Sequence, residues 1–120
     1  MSNINSDAFW SLIEGSTDDD TITLTGKGST IQSYRGNDLI ELGKNSWTGN
    51  NLVYAGAGND TIKINSSATV YGDAGNDYFG VYGIQGVGGN LILDGGAGAD
   101  YFYLDTYAAA RNSKNFAKSS

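Results

Sequence analysis

The sequence predicts an all-β fold, a β-solenoid of about five coils in which equivalent short strands stack in parallel. A turn rich in Gly and Asp recurs along the chain, and alternating apolar residues follow each copy. A second set of apolar positions recurs between the copies. Because alternation with a period of two puts apolar side chains on one face of a strand, the repeated strands share a buried face.

Five copies of the turn align on a single Asp. The segments are EGSTDDDTITL (14–24), SYRGNDLIEL (33–42), YAGAGNDTIKI (54–64), YGDAGNDYFGV (71–81) and DGGAGADYFYL (94–104). The aligned acids, spaced by 18, 22, 17 and 23 residues, are Asp20, Asp38, Asp60, Asp77 and Asp100. The apolar residues two positions after each acid are Ile22, Ile40, Ile62, Phe79 and Phe102, and those four positions after it are Leu24, Leu42, Ile64, Val81 and Leu104.

A second strand is predicted before each turn, centred seven residues ahead of the acid, at Ile31, Val53, Val70 and Leu93. Two strands in 17 to 23 residues leave no room for a helical crossover. Successive antiparallel hairpins are the alternative, but they do not explain why only alternate turns carry the Gly-Asn-Asp pattern. Stacked parallel coils do explain it, because each turn then lies above its equivalent.

The predicted organisation has three parts: an N-terminal cap over residues 1–14, the repeats over 15–105 and a C-terminal tail over 106–120. Within the cap, residues 6–14 are predicted to form a short helix that Ser6 caps and Gly15 ends. This helix is expected to cover the first coil, since solenoids need capped ends. The tail is a second cap or a secretion signal.

Composition excludes several classes of function. The 120 residues carry a net charge of −6 and no basic stripe, which argues against nucleic-acid binding. No apolar run approaches the roughly 20 residues of a transmembrane helix. The chain has no Cys and no His, so thiol and imidazole catalysis and the usual zinc and copper ligand sets are absent. No enzyme is predicted, and any bound metal is a hard cation held by oxygen.

The turns resemble a known calcium-binding repeat. GGAGADYF (95–102) resembles the nonapeptide G-G-x-G-x-D-x-U-x of RTX (hemolysin-type) proteins, in which U is a large apolar residue. AGAGNDTI (55–62) and GDAGNDYF (72–79) each miss one early Gly, YRGNDLI (34–40) keeps the second half, and GSTDDDTI (15–22) is degenerate. The resemblance implies a right-handed parallel β-roll that folds on binding calcium and is secreted by a type I system.

The motif occurs once per coil here, whereas RTX nonapeptides usually follow one another directly. The resemblance therefore implies up to four calcium ions along one edge only, as in the extension and ice-binding segments of large RTX adhesins. It assigns Asp38, Asp60, Asp77 and Asp100 as the principal side-chain ligands, with Asp20 outermost. It assigns the carbonyl oxygens of Gly36, Gly56, Ala57, Gly58, Ala74, Gly75, Gly96, Ala97 and Gly98 to complete the cages.

The alternative for any single copy is a solvated turn without an ion. A stacked row differs, because carboxylates at the roughly 4.8 Å strand spacing repel each other and need a counter-charge. Outward positions carry Tyr78, Tyr82, Tyr101 and Tyr103, and Trp47 lies in a longer opposite turn. Such aromatic ladders serve stacking stability, or they mark a contact surface for a sugar or a protein.

The function predicted from these features is structural: a secreted calcium-binding protein that self-assembles or adheres at the cell surface or in extracellular matrix. One alternative is a ligand-binding module for carbohydrate or ice. Ice-binding relatives carry Thr between the turn glycines, where this chain has Arg35, Ala57, Ala74 and Ala97. Another alternative is the calcium-folding tail of an exported enzyme.

Overall fold

The computed structural model describes residues 3–7, 9–43, 50–65, 68–81, 91–104 and 117–118. These residues form twelve short strands. In chain order they are β1 (Asn3–Ser6), β2 (Leu12–Glu14), β3 (Thr21–Leu24), β4 (Thr30–Gln32), β5 (Leu39–Leu42), β6 (Asn51–Tyr54), β7 (Thr61–Ile64), β8 (Ala68–Tyr71), β9 (Tyr78–Val81), β10 (Leu91–Asp94), β11 (Tyr101–Leu104) and β12 (Ala117–Lys118).

Strands alternate between two sheets along the chain. The odd-numbered strands form one sheet in the order β1-β3-β5-β7-β9-β11, and the even-numbered strands form the other in the order β12-β10-β8-β6-β4-β2. Every neighbouring pair is parallel. Each coil therefore contributes one strand to each sheet, and the predicted parallel β-solenoid is confirmed.

The core consists of the inward rows that the apolar alternation predicted. In the first sheet, Ile40 pairs with Ile22 on one side and with Ile62 on the other, and the row continues through Phe79 to Phe102. The opposite sheet aligns Ile31, Val53, Val70 and Leu93 in the same way. These residues form one apolar cluster. Burying each such side chain stabilises the fold by about 1.5–3 kcal/mol. A single coil would leave these side chains exposed on both sides, so this stabilisation requires stacked coils.

Outward side chains on neighbouring coils stack on each other. The rings of Tyr78 and Tyr101 lie 5.2 Å apart and are inclined by 7°, and those of Tyr54 and Tyr71 lie 5.3 Å apart at 11°. Tyr101 and Tyr103 are exposed. Two further members of the predicted contact surface, Tyr82 and Trp47, fall outside the described residues.

The predicted N-terminal helix is wrong. Ser6 ends β1, and residues 12–14 form β2, which pairs in register with β4. Ile13 joins the buried core, whereas Trp10 and Leu12 are 70% and 57% exposed. Pairing with the second coil thus decides the conformation of this segment. Of the tail, the structure describes only Ala117 and Lys118, which pair with β10.

Candidate calcium edge

The Gly-Asp turns all lie on one edge of the solenoid, between an even-numbered strand and the odd-numbered strand that follows it. In four of the five turns, the residues four and two positions before the Asp have positive φ angles. The first set is Tyr34, Gly56, Asp73 and Gly96, with φ between 64° and 83°, and the second is Gly36, Gly58, Gly75 and Gly98, with φ between 100° and 115°. The four turns therefore share one backbone conformation.

Carbonyl oxygens crowd the spaces between successive turns. A Cβ atom added at Gly58 would overlap the carbonyl oxygen of Gly36, and one added at Gly75 would overlap that of Gly58. Gly98 meets Gly75 in the same way. Backbone oxygens thus point from each coil towards the next, and only a residue without a side chain fits against them. The predicted ligands Ala57, Ala74 and Ala97 are exposed at the tips of their turns.

The aligned aspartates form a ladder. The backbone N–H of Asp20 donates to Oδ1 of Asp38 at 2.8 Å, and that of Asp38 donates to Oδ1 of Asp60 at 2.8 Å. Asp60 donates in the same way to Asp77, and Asp77 to Asp100, both at 2.9 Å. All five predicted side-chain ligands are therefore brought into one row, in which the carboxylates of the last four reach back to the preceding coil.

The second carboxylate oxygen of the inner aspartates is the unusual feature of this edge. Oδ2 of Asp38, Asp60 and Asp77 is buried and has no hydrogen-bond partner among the described residues. A buried polar atom left unpaired costs about 1–3 kcal/mol, and more when it is charged. A cation would satisfy these oxygens, so the residues present fit a bound hard metal ion.

The electrostatics of the ladder point the same way. Burial raises the pKa of Asp60 to about 8, that of Asp77 to about 7 and that of Asp38 to about 6. These pKa values also include an opposing effect of hydrogen bonds from the backbone, smaller than that of burial, and a rise caused by the charges of neighbouring ladder carboxylates. A positive ion beside the row would favour the ionised form of every member.

The acids of this edge do not form a compact cluster. Within the described ranges, no three acidic side chains converge on one point. Calcium takes six to eight oxygen ligands and accepts backbone carbonyls as readily as carboxylates. Any site on this edge therefore combines one or two ladder carboxylates with the carbonyl oxygens of the stacked turns.

A second ladder, which the sequence did not predict, lies on the exposed side of the same turns. The N–H of Asn59 donates to Oδ1 of Asn37, that of Asn76 to Oδ1 of Asn59, and that of Ala99 to Oδ1 of Asn76, at 2.8 to 2.9 Å. Asp19 accepts from Asn37 at the head of the row. Here each N–H donates to the preceding coil, opposite to the aspartate ladder. The recurrence of Asn just before the Asp was the available signal, but Asn is equally common in turns for its own conformation.

Comparison with known families agrees with this geometry. The family model of the RTX calcium-binding nonapeptide repeat matches the chain in four copies, over residues 14–45, 48–63, 69–79 and 84–106. These ranges cover most of the chain and include all five aligned aspartates. No curated protein and no solved structure matches significantly. None of the described residues forms a helix of the length and apolarity needed to cross a membrane.

Proposed function

The chain belongs to the family of RTX calcium-binding nonapeptide repeats, and from this premise we propose that calcium binding along one edge drives its folding. The observation that carries the proposal is the buried, unpaired Oδ2 of Asp38, Asp60 and Asp77. Three such atoms in one row are costly for the metal-free protein. Because ions bind these groups only when the coils are stacked, binding energy becomes folding energy.

The ligands proposed for the ions are the carboxylates of Asp38, Asp60, Asp77 and Asp100 with carbonyl oxygens of the adjacent turns. Calcium supplies the positive charge that lets neighbouring carboxylates stay ionised within one row. The left-handed turn residues aim their carbonyl oxygens into the gap, and the Oδ1 hydrogen bonds fix each carboxylate against the preceding coil. The stacked strands then hold these groups in place without further rearrangement.

The proposal is tested by circular dichroism of the whole chain in chelator and during a calcium titration. We expect little β-structure without the ion and a cooperative gain at millimolar calcium, since extracellular calcium modules bind on the order of 10⁻⁴–10⁻³ M. Magnesium is the control, because it requires a smaller octahedral shell and loses its waters reluctantly. A β-rich spectrum that EDTA leaves unchanged would rule the mechanism out.

An extracellular location follows from the same proposal. A chain that folds only at millimolar calcium stays unfolded during export and folds outside the cell, which suits the type I secretion typical of RTX proteins. Immunodetection in cell and culture fractions tests this expectation. Protein confined to the cell fraction would contradict it.

Self-association through the ends of the solenoid is the second function we propose, with adhesion or matrix formation as its context. Two described strands support it: β1 and β11 each have a single neighbour in their sheet, and β1 (Asn3–Ser6) carries no charged residue. Strands at the edge of a sheet can pair with further chains. Sedimentation velocity in calcium tests it, and a monomer at all concentrations would refute it.

Carbohydrate binding gains no support from the outward tyrosines. In both stacked pairs, Tyr54–Tyr71 and Tyr78–Tyr101, each ring covers one face of the other, so those faces cannot stack on a sugar. The tail of an exported enzyme stays a prediction, as does the absence of catalysis in this chain.

A further inference from the structure

The first turn, residues 15–20, differs from the other four in ways that bear on the number of ions. We propose that this turn is a metal-free cap, in which Ser16 takes the place of a cation at Asp20. The row of calcium sites then begins at the second turn. The inference rests on the proposed calcium-binding function. It adds the position at which the row of calcium sites begins, which the repeat motif alone does not give.

The carboxylate of Asp20 is already satisfied by its own turn. Oδ2 accepts a hydrogen bond from the backbone N–H of Ser16 at 2.6 Å, and Oδ1 accepts one from the Ser16 hydroxyl at 2.7 Å. In the three inner turns the atom equivalent to this Oδ2 is buried without a partner. Asp20 is equally buried, with 2% of its surface exposed. The difference therefore lies in the donors and not in exposure.

The residue four positions before the acid explains why only Asp20 has donors in its own turn. Ser16 occupies it in the first turn, and Tyr34, Gly56, Asp73 and Gly96 occupy it in the others with positive φ angles. Ser16 and Asp18, the residue two before the acid, are not among the described residues with positive φ. With the chain in this other conformation, the N–H and hydroxyl of Ser16 both face the carboxylate. The Ser16 hydroxyl also accepts from the N–H of Asp18 at 3.2 Å, which closes the turn.

One element of the cation edge does persist in the first turn. A Cβ atom on Gly36 would lie 2.5 Å from the carbonyl oxygen of Asp18, so this carbonyl points towards the second turn as its equivalents do. A single carbonyl does not make a calcium cage, which needs six to eight oxygens. The missing contributions are the free carboxylate oxygen and the left-handed backbone at positions 16 and 18.

A cap of this kind has a structural purpose. In the later turns, Oδ1 of the Asp accepts a hydrogen bond from the backbone N–H of the aligned Asp one coil earlier, as Asp38 does from Asp20. Oδ1 of Asp20 instead accepts a hydrogen bond from the hydroxyl of Ser16. The first turn thus completes the ladder with its own atoms. Terminal repeats of solenoids are atypical for the same reason, because they must end a pattern that neighbours continue.

The test counts the calcium ions bound to the full chain by native mass spectrometry and by equilibrium dialysis with elemental analysis. The two matched variants are Asp20→Asn and Asp60→Asn, which remove one ladder carboxylate each. We expect Asp20→Asn to bind as many ions as the unaltered chain and Asp60→Asn to bind at least one fewer. A lower count for Asp20→Asn would overturn the cap. If the unaltered chain bound no calcium, the proposed function itself would fail instead.

The Ser16→Ala variant decides the matter if Asp20→Asn does not fold. It removes the hydroxyl donor but leaves every ladder carboxylate in place. We expect an unchanged ion count together with a thermal midpoint lowered by a few degrees. An unchanged midpoint would show that the Ser16 hydroxyl does not hold Asp20, and a lower ion count would show that the first turn binds calcium. Either result would overturn the inference.

Discussion

Single residues on the turn edge serve two neighbouring coils at once. The side chain of Asp60 accepts the N–H of Asp38 while its own N–H donates to Asp77. Asn59 accepts from Asn76 and donates to Asn37. Because the two ladders run in opposite directions, each turn holds the coil before it and the coil after it through adjacent residues.

The asparagine ladder can be tested separately from the ions. Replacing Asn59 by Ala removes the acceptor of the Asn76 N–H, which should lower the free energy of unfolding in saturating calcium by about 0.5–1.5 kcal/mol. The side chain is exposed, so water replaces part of the bond. Urea denaturation with excess calcium measures the change.

The control for Asn59→Ala is Ala74→Ser, which alters an exposed turn tip. Equal stability of the two variants would show that the ladder contributes nothing. The number of bound ions should be the same in both, because neither change removes a carboxylate or a backbone carbonyl.

At the scale of the strands, alternation located β3 to β11 well because each of these strands has a fixed offset from an aligned Asp. The inward rows through Ile40 and Val53 form as predicted. Residues 6–14 are the exception. Their local pattern suits a helix, but pairing of β2 with β4 and burial of Ile13 override that preference.

The hydrogen bonds of the turns were harder to predict than the strands. The acids and glycines of the site recur in sequence and could be aligned directly. The contacts of Ser16 and Asn59 join groups within a turn or across 17 to 22 residues, and the same residue types are common in ordinary turns. Their roles depend on the stacking of coils, which the local sequence does not encode.

The inward rows carry most of the stability of a strand. Phe79 is fully buried and its ring lies 4.8 Å from that of Phe102. Replacing Phe79 by Ala should cost about 3–5 kcal/mol in the calcium-loaded state. For a small domain this is a large share of the total, so the calcium concentration needed for folding should rise sharply.

Tyr78→Ala is the matched control, since Tyr78 is the preceding residue of the same strand and points outward. It loses one stacked ring pair, worth about 0.5–1.5 kcal/mol. Calcium titrations followed by circular dichroism should therefore rank the variants in that order. The reverse order would mean that the outer face and not the core holds the coils together.

For the whole molecule, the row of buried carboxylates makes folding depend on pH. The ordinary pKa of an Asp is 3.8, while burial holds Asp38 at about 6, Asp77 at about 7 and Asp60 at about 8 in the metal-free fold. The folded state thus binds more protons than the unfolded chain above pH 4. The stability that these three carboxyl groups contribute is greatest below the Asp pKa of the unfolded chain. It is lost as pH rises through their pKa values in the folded state.

We therefore expect the metal-free chain to hold more β-structure near pH 4.5 than near pH 8.5, since these two values lie on either side of the folded pKa values of about 6 to 8. Calcium reverses the trend, because protons compete with it for the same carboxylates. The calcium midpoint should rise as pH falls from 8 to 6. Circular dichroism across this range, with and without EDTA, measures both effects. A metal-free spectrum that does not respond to pH would contradict the assigned burial of the ladder.

The offset between each even-numbered strand and the acid that follows it is constant, so the acid-bearing turns have one length. All the variation between 17 and 23 residues per coil falls on the opposite edge. Residues added between an odd-numbered strand and the next even-numbered strand therefore leave the sequence of both ladders intact. That margin is the natural place to graft a foreign epitope or a peptide tag, and a gene could lengthen the molecule there or gain whole coils by duplication while the other margin stayed unaltered.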